Sequence, residues 1–292
     1  MPWLQLTFHV DPDKAETLSD LLSELGAAAV TMQDGADQPL YEPPPGATPL
    51  WNQTCVSGLF SADNNAEQLA TTLAERLSPE PLPHWHKTLI EDQDWERAWM
   101  DDFQPMRFGE RLWIVPSWYE PPESDAVNIL LDPGLAFGSG THPTTRLCLE
   151  WLEKEAISDK QVIDYGCGSG ILAIAAAKLG AKQVIAIDND PQALLATRDN
   201  AERNSVAKKI ETFLPGSAPT LHADIMVANI LAGPLIELAS AFALLLKKEG
   251  QIALSGILPE QAREVLAAYS EAFEMRPAVE HDGWVRLEGT RK

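Results

Sequence analysis

The sequence predicts an α/β protein whose second half forms a doubly wound parallel sheet closed by an antiparallel hairpin, with a smaller α+β domain in front. Three observations carry that expectation. Residues 161–190, QVIDYGCGSGILAIAAAKLGAKQVIAIDND, read as strand, glycine turn, helix and strand. The β-branched run at Val162 and Ile163 breaks at three alternating glycines, and an alanine-rich segment runs on to Gly180. Residues 1–91 place strand and helix patterns in the order βαββαβ. Two apolar runs near residue 292 flank His281-Asp282-Gly283, which reads as a hairpin turn.

In chain order, Trp3, Gln5 and Thr7 alternate with Leu4, Leu6 and Phe8, the period of a half-buried strand. Asp11 and Pro12 open KAETLSDLLSELG, which puts Leu18, Leu21, Leu22 and Leu25 on one helix face and stops at Gly26. A strand follows over 27–33. Five prolines between Pro39 and Pro49 forbid regular structure there. Residues 51–60 read as a strand, 65–77 as a helix and 85–90 as a strand, which completes a ferredoxin-like pattern over 1–91. His84 and His86 share one face of that last strand and could hold a metal. No Cys, Asp or His lies nearby in sequence to join them, so a half-exposed strand is the better reading and no metal is expected.

From Asp92, the residues Trp95, Trp99 and Phe103 recur at helical spacing as an aromatic stripe suited to packing two domains together. Strands at 105–118 and 127–131 follow, so residues 92–131 read as a connector that joins the second sheet or covers its edge. Residues 131–152, LDPGLAFGSGTHPTTRLCLEWL, pair a glycine-rich approach with a helix opened by Thr141-His142-Pro143-Thr144-Thr145. Gly134, Gly138 and Gly140 make that approach mobile, as in a lid. Beyond residue 190 the pattern gives a helix to Ser205, a strand at 209–214 and a buried strand from Asp224 that ends in Asn229. A strand at 250–257, a helix at 260–271 and a hairpin of 275–280 with 284–288 complete the chain.

The chain's 292 residues suit about two domains. With 45% hydrophobic and 22% charged residues it has the composition of an ordinary soluble globular protein. A net charge of −21 repels phosphate backbones and attracts cationic partners, so a direct nucleic-acid partner is not expected. Cys55, Cys148 and Cys167 are odd in number, widely spaced and without a C-x-x-C pair, which points to a reducing, cytoplasmic setting rather than to a disulfide framework. The opening MPWLQLTFHV has neither a basic nor a long apolar region, and no apolar run approaches membrane-spanning length. Neither secretion nor membrane association is expected.

The chemistry follows from residues 164–188. Glycines let the backbone approach a ligand closely, the following helix N-terminus offers N–H groups to an anion, and Asp188 at the next strand's tip can accept both hydroxyls of a ribose. A dinucleotide site would use G-x-G-x-x-G, whereas Gly166, Gly168 and Gly170 alternate here and Ile171 stands where the third glycine would be. The run D-Y-G-C-G-S-G resembles the first motif of class I S-adenosylmethionine-dependent methyltransferases. That resemblance implies a glycine loop facing the methionine part of the cofactor, Asp188 on its ribose, and Phe137 available to cover the sulfonium or the adenine. Methyltransferases of amines often carry Asn-Pro-Pro-Tyr after the fourth strand. Here the residues are Asn229, Ile230, Leu231 and Ala232, so the asparagine matches and the aromatic does not, which weakens any expectation of a flipped base.

Four stretches together, the N-terminal ferredoxin-like half, LDPGLAFGSGTHPTT, VIDYGCGSGILAIAA and VANILAGPL, closely resemble the bacterial methyltransferase family of large-subunit ribosomal protein eleven over essentially the whole chain. The resemblance implies a substrate-recognition domain at 1–91, a connector at 92–131 and a methyltransferase domain at 132–292. It implies methyl transfer from S-adenosyl-L-methionine to the N-terminal α-amine and lysine side chains of that basic ribosomal protein, by a cytoplasmic enzyme expected to be a monomer. Thr145, Gly166, Gly168, Asp188 and Asn229 are the implied cofactor contacts. No His, Lys or carboxylate in these motifs stands out as a base, so Asn229 is the expected catalytic residue, accepting a hydrogen bond from a neutral amine together with the Ile230 carbonyl. Another amine substrate, either a small molecule or a nucleic-acid base, would use the same cofactor site, and a non-catalytic protein could retain the fold. The glycine spacing disfavours a nicotinamide dehydrogenase.

Overall fold

The computed structural model describes residues 2–36, 38, 49–91, 103–132, 141–219 and 222–292. Nearly all of the proline-rich segment and of the aromatic-striped helix, and the glycine loop with Phe137, lie outside those residues. The chain forms two compact units, residues 1–98 and 99–292.

The first unit contains β1 (Trp3–Val10), α1 (Pro12–Glu24), β2 (Ala29–Asp34), β3 (Thr54–Ser61), α2 (Ala66–Leu77) and β4 (Trp85–Ile90). Its sheet runs β2-β3-β1-β4 with every pair antiparallel, the ferredoxin-like arrangement. Leu4, Leu6, Phe8 and Val10 of β1 pack with Ala15, Leu18 and Leu22 of α1 and with Ala66 and Leu73 of α2. Fully burying each of the larger of these side chains contributes about 1.5–3 kcal/mol. Asp11 and Pro12 begin α1, and Asn65 caps α2 by accepting from the Glu67 and Gln68 N–H groups. On the sheet's other face, the His9 ring lies 5.7 Å from each of the His84 and His86 rings. Among the described residues no group of three or more His, Cys, Asp or Glu is arranged to hold a metal ion.

The second unit is built on a sheet ordered β10-β9-β8-β11-β12-β15-β13, with β14 paired to β15. These strands are β8 (Gln161–Tyr165), β9 (Gln183–Ile187), β10 (Ile210–Phe213), β11 (Ala223–Asn229), β12 (Leu246–Ile257), β13 (Phe273–Met275), β14 (Val279–His281) and β15 (Trp284–Arg291). The five from β8 to β12 are parallel, and β15 is antiparallel to β12. One apolar cluster holds α3 (Pro143–Lys154), α4 (Ile171–Lys178) and α5 (Pro191–Arg203), while another holds α6 (Ala232–Leu245) and α7 (Ala262–Ser270). Strand order and helix side both change between β8 and β11, the switch point of a doubly wound sheet.

Two expectations are corrected in this unit. The strands of the connector, β5 (Met106–Phe108), β6 (Leu112–Val115) and β7 (Val127–Leu130), do not join the large sheet; they pair with one another. Phe108, Leu112, Ile114 and Ile129 share the apolar cluster of α3 and α4. The cause is α4, every residue of which from Ile171 to Ala177 is buried, so the side turned away from the sheet also needs an apolar cover. The strand expected at 275–280 is interrupted at Arg276-Pro277-Ala278, where Pro277 has no N–H for the ladder, and β13 and β14 pair separately with β15. The turn between β14 and β15 is Asp282-Gly283, with φ of 47° and 74°, as a two-residue hairpin loop requires.

Candidate functional site

Strand register assembles the site. Tyr165 at the end of β8 stands opposite Ile187 on β9 and Ala228 on β11, so the next residues, Gly166, Asp188 and Asn229, form a row along the carboxyl edge of the sheet. On the far side Asn229 faces Ser255 of β12. Ligands bind at this edge and at this switch point in open α/β sheets.

The loop leaving β8 requires its glycines. Gly166, Gly168 and Gly170 have φ of 78°, 53° and 79°, in the left-handed region. A Cβ on Gly166 would overlap the Ile230 Cγ2, and one on Gly170 would come within 2.8 Å of the Thr197 Cγ2. The Gly166 and Cys167 N–H groups donate to the Ile187 carbonyl at 2.7 and 3.1 Å. From α5, the Thr197 Oγ1 donates to the Gly168 carbonyl at 3.1 Å and the Asn200 Nδ2 to the Ser169 carbonyl at 2.9 Å. Thr197 and Asn200 were not singled out from the sequence. Their signal was there: Ala193, Leu194 and Ala201 mark the buried stripe of α5, and Thr197 is a polar residue on that stripe.

Asp188 is part of the same framework. Its Oδ2 accepts from the Gly168 N–H at 2.9 Å and its Oδ1 from the Asp190 N–H at 3.0 Å, which orients the carboxylate and leaves lone pairs on both oxygens. Asp164 is fully buried, with its Oδ2 accepting from the Ala173 N–H at 2.9 Å. One N–H of the first turn of α4 is therefore spent on Asp164 rather than offered to a ligand. Burial, joined by the nearby Asp188 charge, pushes this carboxyl up to about 7 against the lowering effect of the Ala173 N–H. The Asp164 Oδ1 has no hydrogen-bond partner. Burial also pushes the Cys167 thiol up, which makes it a packing residue rather than a nucleophile.

Thr145, fully buried in the first turn of α3, reaches Asn229 from the other side. The Asn229 Nδ2 donates to the Thr145 Oγ1 at 3.5 Å, which turns the amide so that its Oδ1 is left as an acceptor. His142 caps α3. Its Nδ1 accepts from the Thr144 N–H at 3.4 Å and lies 2.7 Å from the Thr144 Oγ1, and its ring sits edge-on to Trp284 at 4.8 Å. Burial lowers its pKa, which favours the neutral ring that such a cap needs. Thus Gly166, Gly168 and Asp188 form one hydrogen-bonded unit, with Thr145 and Asn229 beside it.

Comparison with known proteins covers the whole chain. Residues 2–292 match the family model described as ribosomal protein L11 methyltransferase (PrmA). A relative named ribosomal protein L11 methyltransferase from Marinobacter nauticus is 58% identical over 296 residues, covering 100% of this chain and 99% of the relative. One of the same name from Pseudomonas putida is 56% identical over 293 residues, with both chains fully covered. The crystal structure of a ribosomal protein L11 methylase from Lactobacillus delbrueckii subsp. bulgaricus superposes with a TM-score of 0.59 at 36% identity, over 65% of this chain and all of that one.

Proposed function

We propose, because the chain belongs to the ribosomal protein L11 methyltransferase family, that the row Gly166, Asp188 and Asn229 is the place where methyl groups pass from S-adenosylmethionine to amines of ribosomal protein L11. The amines are the N-terminal α-amine and lysine side chains. The observation that carries this reading is the position of Asn229, one strand across from the glycine loop and oriented by Thr145.

The residues present suit the cofactor. Gly166 and Gly168 leave a cradle that a Cβ would fill, Asp188 keeps free lone pairs for a ribose, and the buried, unpartnered Asp164 Oδ1 suits a cationic or N–H-bearing group nearby. When bound, S-adenosylmethionine supplies a methyl group on a positively charged sulfur, an electrophile for an uncharged amine. The chain's own task is to bring such an amine in and aim it. Free lysine has pKa about 10.4, so roughly one in a few thousand is neutral at pH 7, against about one in ten for an α-amine near pKa 8. Desolvation on entry lowers the lysine value, and the proton passes to water. The Asn229 Oδ1 then accepts an N–H of the neutral amine, which directs the lone pair. With the cofactor bound, the amine nitrogen so aimed would take up the methyl carbon as the methyl–sulfur bond breaks, and the resulting ammonium would shed its proton to solvent.

Asp188→Ala removes a charge-assisted hydrogen bond to the ribose and the partner of the Gly168 N–H together. It is expected to weaken cofactor binding by about 2 kcal/mol. Calorimetry with unchanged affinity would remove Asp188 from the site.

Residues 1–91 are proposed to recognise the substrate, since every cofactor motif lies after residue 131. A chain beginning near Asp92 is expected to bind S-adenosylmethionine yet transfer label poorly to intact ribosomal protein L11, and equal transfer by the short and full chains would contradict the recognition role. The −21 charge is proposed to steer this basic substrate, so transfer slows at high salt. A reducing, cytoplasmic setting suits the free, buried Cys55, Cys148 and Cys167. No helix of the described residues is long and apolar enough to cross a membrane.

A further inference from the structure

We infer that Gly256 is a positioning residue for the transfer step: it makes room for the main chain of Ile230 and so fixes Asn229, the residue before it. The inference rests on the role proposed above for Asn229. β11 ends at Asn229 and α6 begins at Ala232, with Leu231 as an N-cap that makes no side-chain capping bond. Two residues, Ile230 and Leu231, therefore carry the chain from strand to helix past the end of β12. At that point β12 has a bulge. Leu254 pairs with Leu287 and Ile257 with Val285, so β12 has one residue more than β15 between the two pairs, and Gly256 lies within the shift at φ 86°.

A Cβ on Gly256 would overlap the Ile230 carbonyl oxygen and lie 2.8 Å from its carbon and 3.3 Å from its nitrogen. All three atoms are main chain and cannot rotate aside. From the opposite side, a Cβ on Gly166 would overlap the Ile230 Cγ2. Ile230 is thus set between left-handed glycines that follow or end the two strands flanking β11, with its side chain in one gap and its carbonyl in the other. Not every left-handed glycine of this chain is confined in this way: an added Cβ on Gly283, at φ 74°, meets nothing within 4 Å. Gly283 serves its turn alone. At Gly256 a side chain would also push the Ile230 peptide, and the Asn229 side chain would swing with it, away from Thr145 and from the amine it aims.

The test compares single-turnover methylation of ribosomal protein L11 by full-length variants at saturating S-adenosylmethionine, with cofactor affinity measured by calorimetry. Gly256→Ala is expected to lose about tenfold to a hundredfold in rate while cofactor affinity stays within about threefold, and Gly283→Ala, strained alike but touching nothing, keeps its rate. A role through Asn229 is also non-additive: in an Asn229→Ala background, Gly256→Ala lowers the rate by less than about twofold more. If Gly256→Ala does not fold, Ile230→Ala takes its place, since it empties the gap at Gly166 and is expected to show the same non-additivity. A full rate for Gly256→Ala, or the same rate loss with and without Asn229, overturns the inference. If the unsubstituted protein fails to methylate ribosomal protein L11, the reading of Asn229 falls first and this inference with it.

Discussion

Gly166→Val abolishes usable cofactor binding, by more than about a hundredfold, in a protein that keeps its sheet. Two costs combine at this position. Gly166 has φ 78°, where a β-branched residue is a strong outlier costing about 1–3 kcal/mol. Its first side-chain atom would also overlap the Ile230 Cγ2, so relaxation displaces either the loop or the segment after Asn229. The Gly166 and Cys167 N–H bonds to the Ile187 carbonyl hold the loop against Asp188, and a loop that moves takes the Gly168 N–H away from the carboxylate. Isothermal titration of folded Gly166→Val with S-adenosylmethionine checks this, and normal affinity would contradict the reading of the glycine loop as a cofactor cradle.

Asn229→Ala lowers the single-turnover rate by about tenfold to a thousandfold at saturating cofactor. Saturation separates aiming the amine from any contact Asn229 makes with the cofactor, because only the former survives as a rate defect. The reaction also depends on pH through the substrate. With the amine proton passing to water, lysine methylation rises between pH 7 and 9 more steeply than α-amine methylation, since the α-amine is already partly neutral at pH 7. A variant with full rate would reduce Asn229 to a binding residue, and a flat lysine profile would mean that proton loss does not limit the rate.

What the sequence made legible here was what local rules control. The alternating Gly166, Gly168 and Gly170, the acid ending the next strand and the asparagine ending β11 each sit where strand, turn and helix periodicity put them. What it hid depends on contacts between residues far apart in the chain. Thr197 and Asn200 hold the glycine loop from a helix about thirty positions away, and Gly256 meets Ile230 only because β11 and β12 are neighbours in register. The separate three-strand sheet of the connector follows from the all-round burial of α4, which an alanine-rich run does not announce by periodicity. Pro277 is visible in the sequence, but that it splits the first strand of the closing hairpin into two pieces paired separately with β15 depends on where the ladder needs an N–H.

The central claim is that this site transfers methyl groups to amines of ribosomal protein L11 and that Asn229 aims them. It is tested most directly by mass spectrometry of unmethylated ribosomal protein L11 after incubation with the full chain and S-adenosylmethionine, with peptides mapped to locate the added mass. The predicted result is whole methyl increments on the N-terminal α-amine and on lysine side chains, accumulating at least about tenfold more slowly with Asn229→Ala at saturating cofactor. Unmodified ribosomal protein L11, or methyl groups confined to residues without an amine, would contradict it.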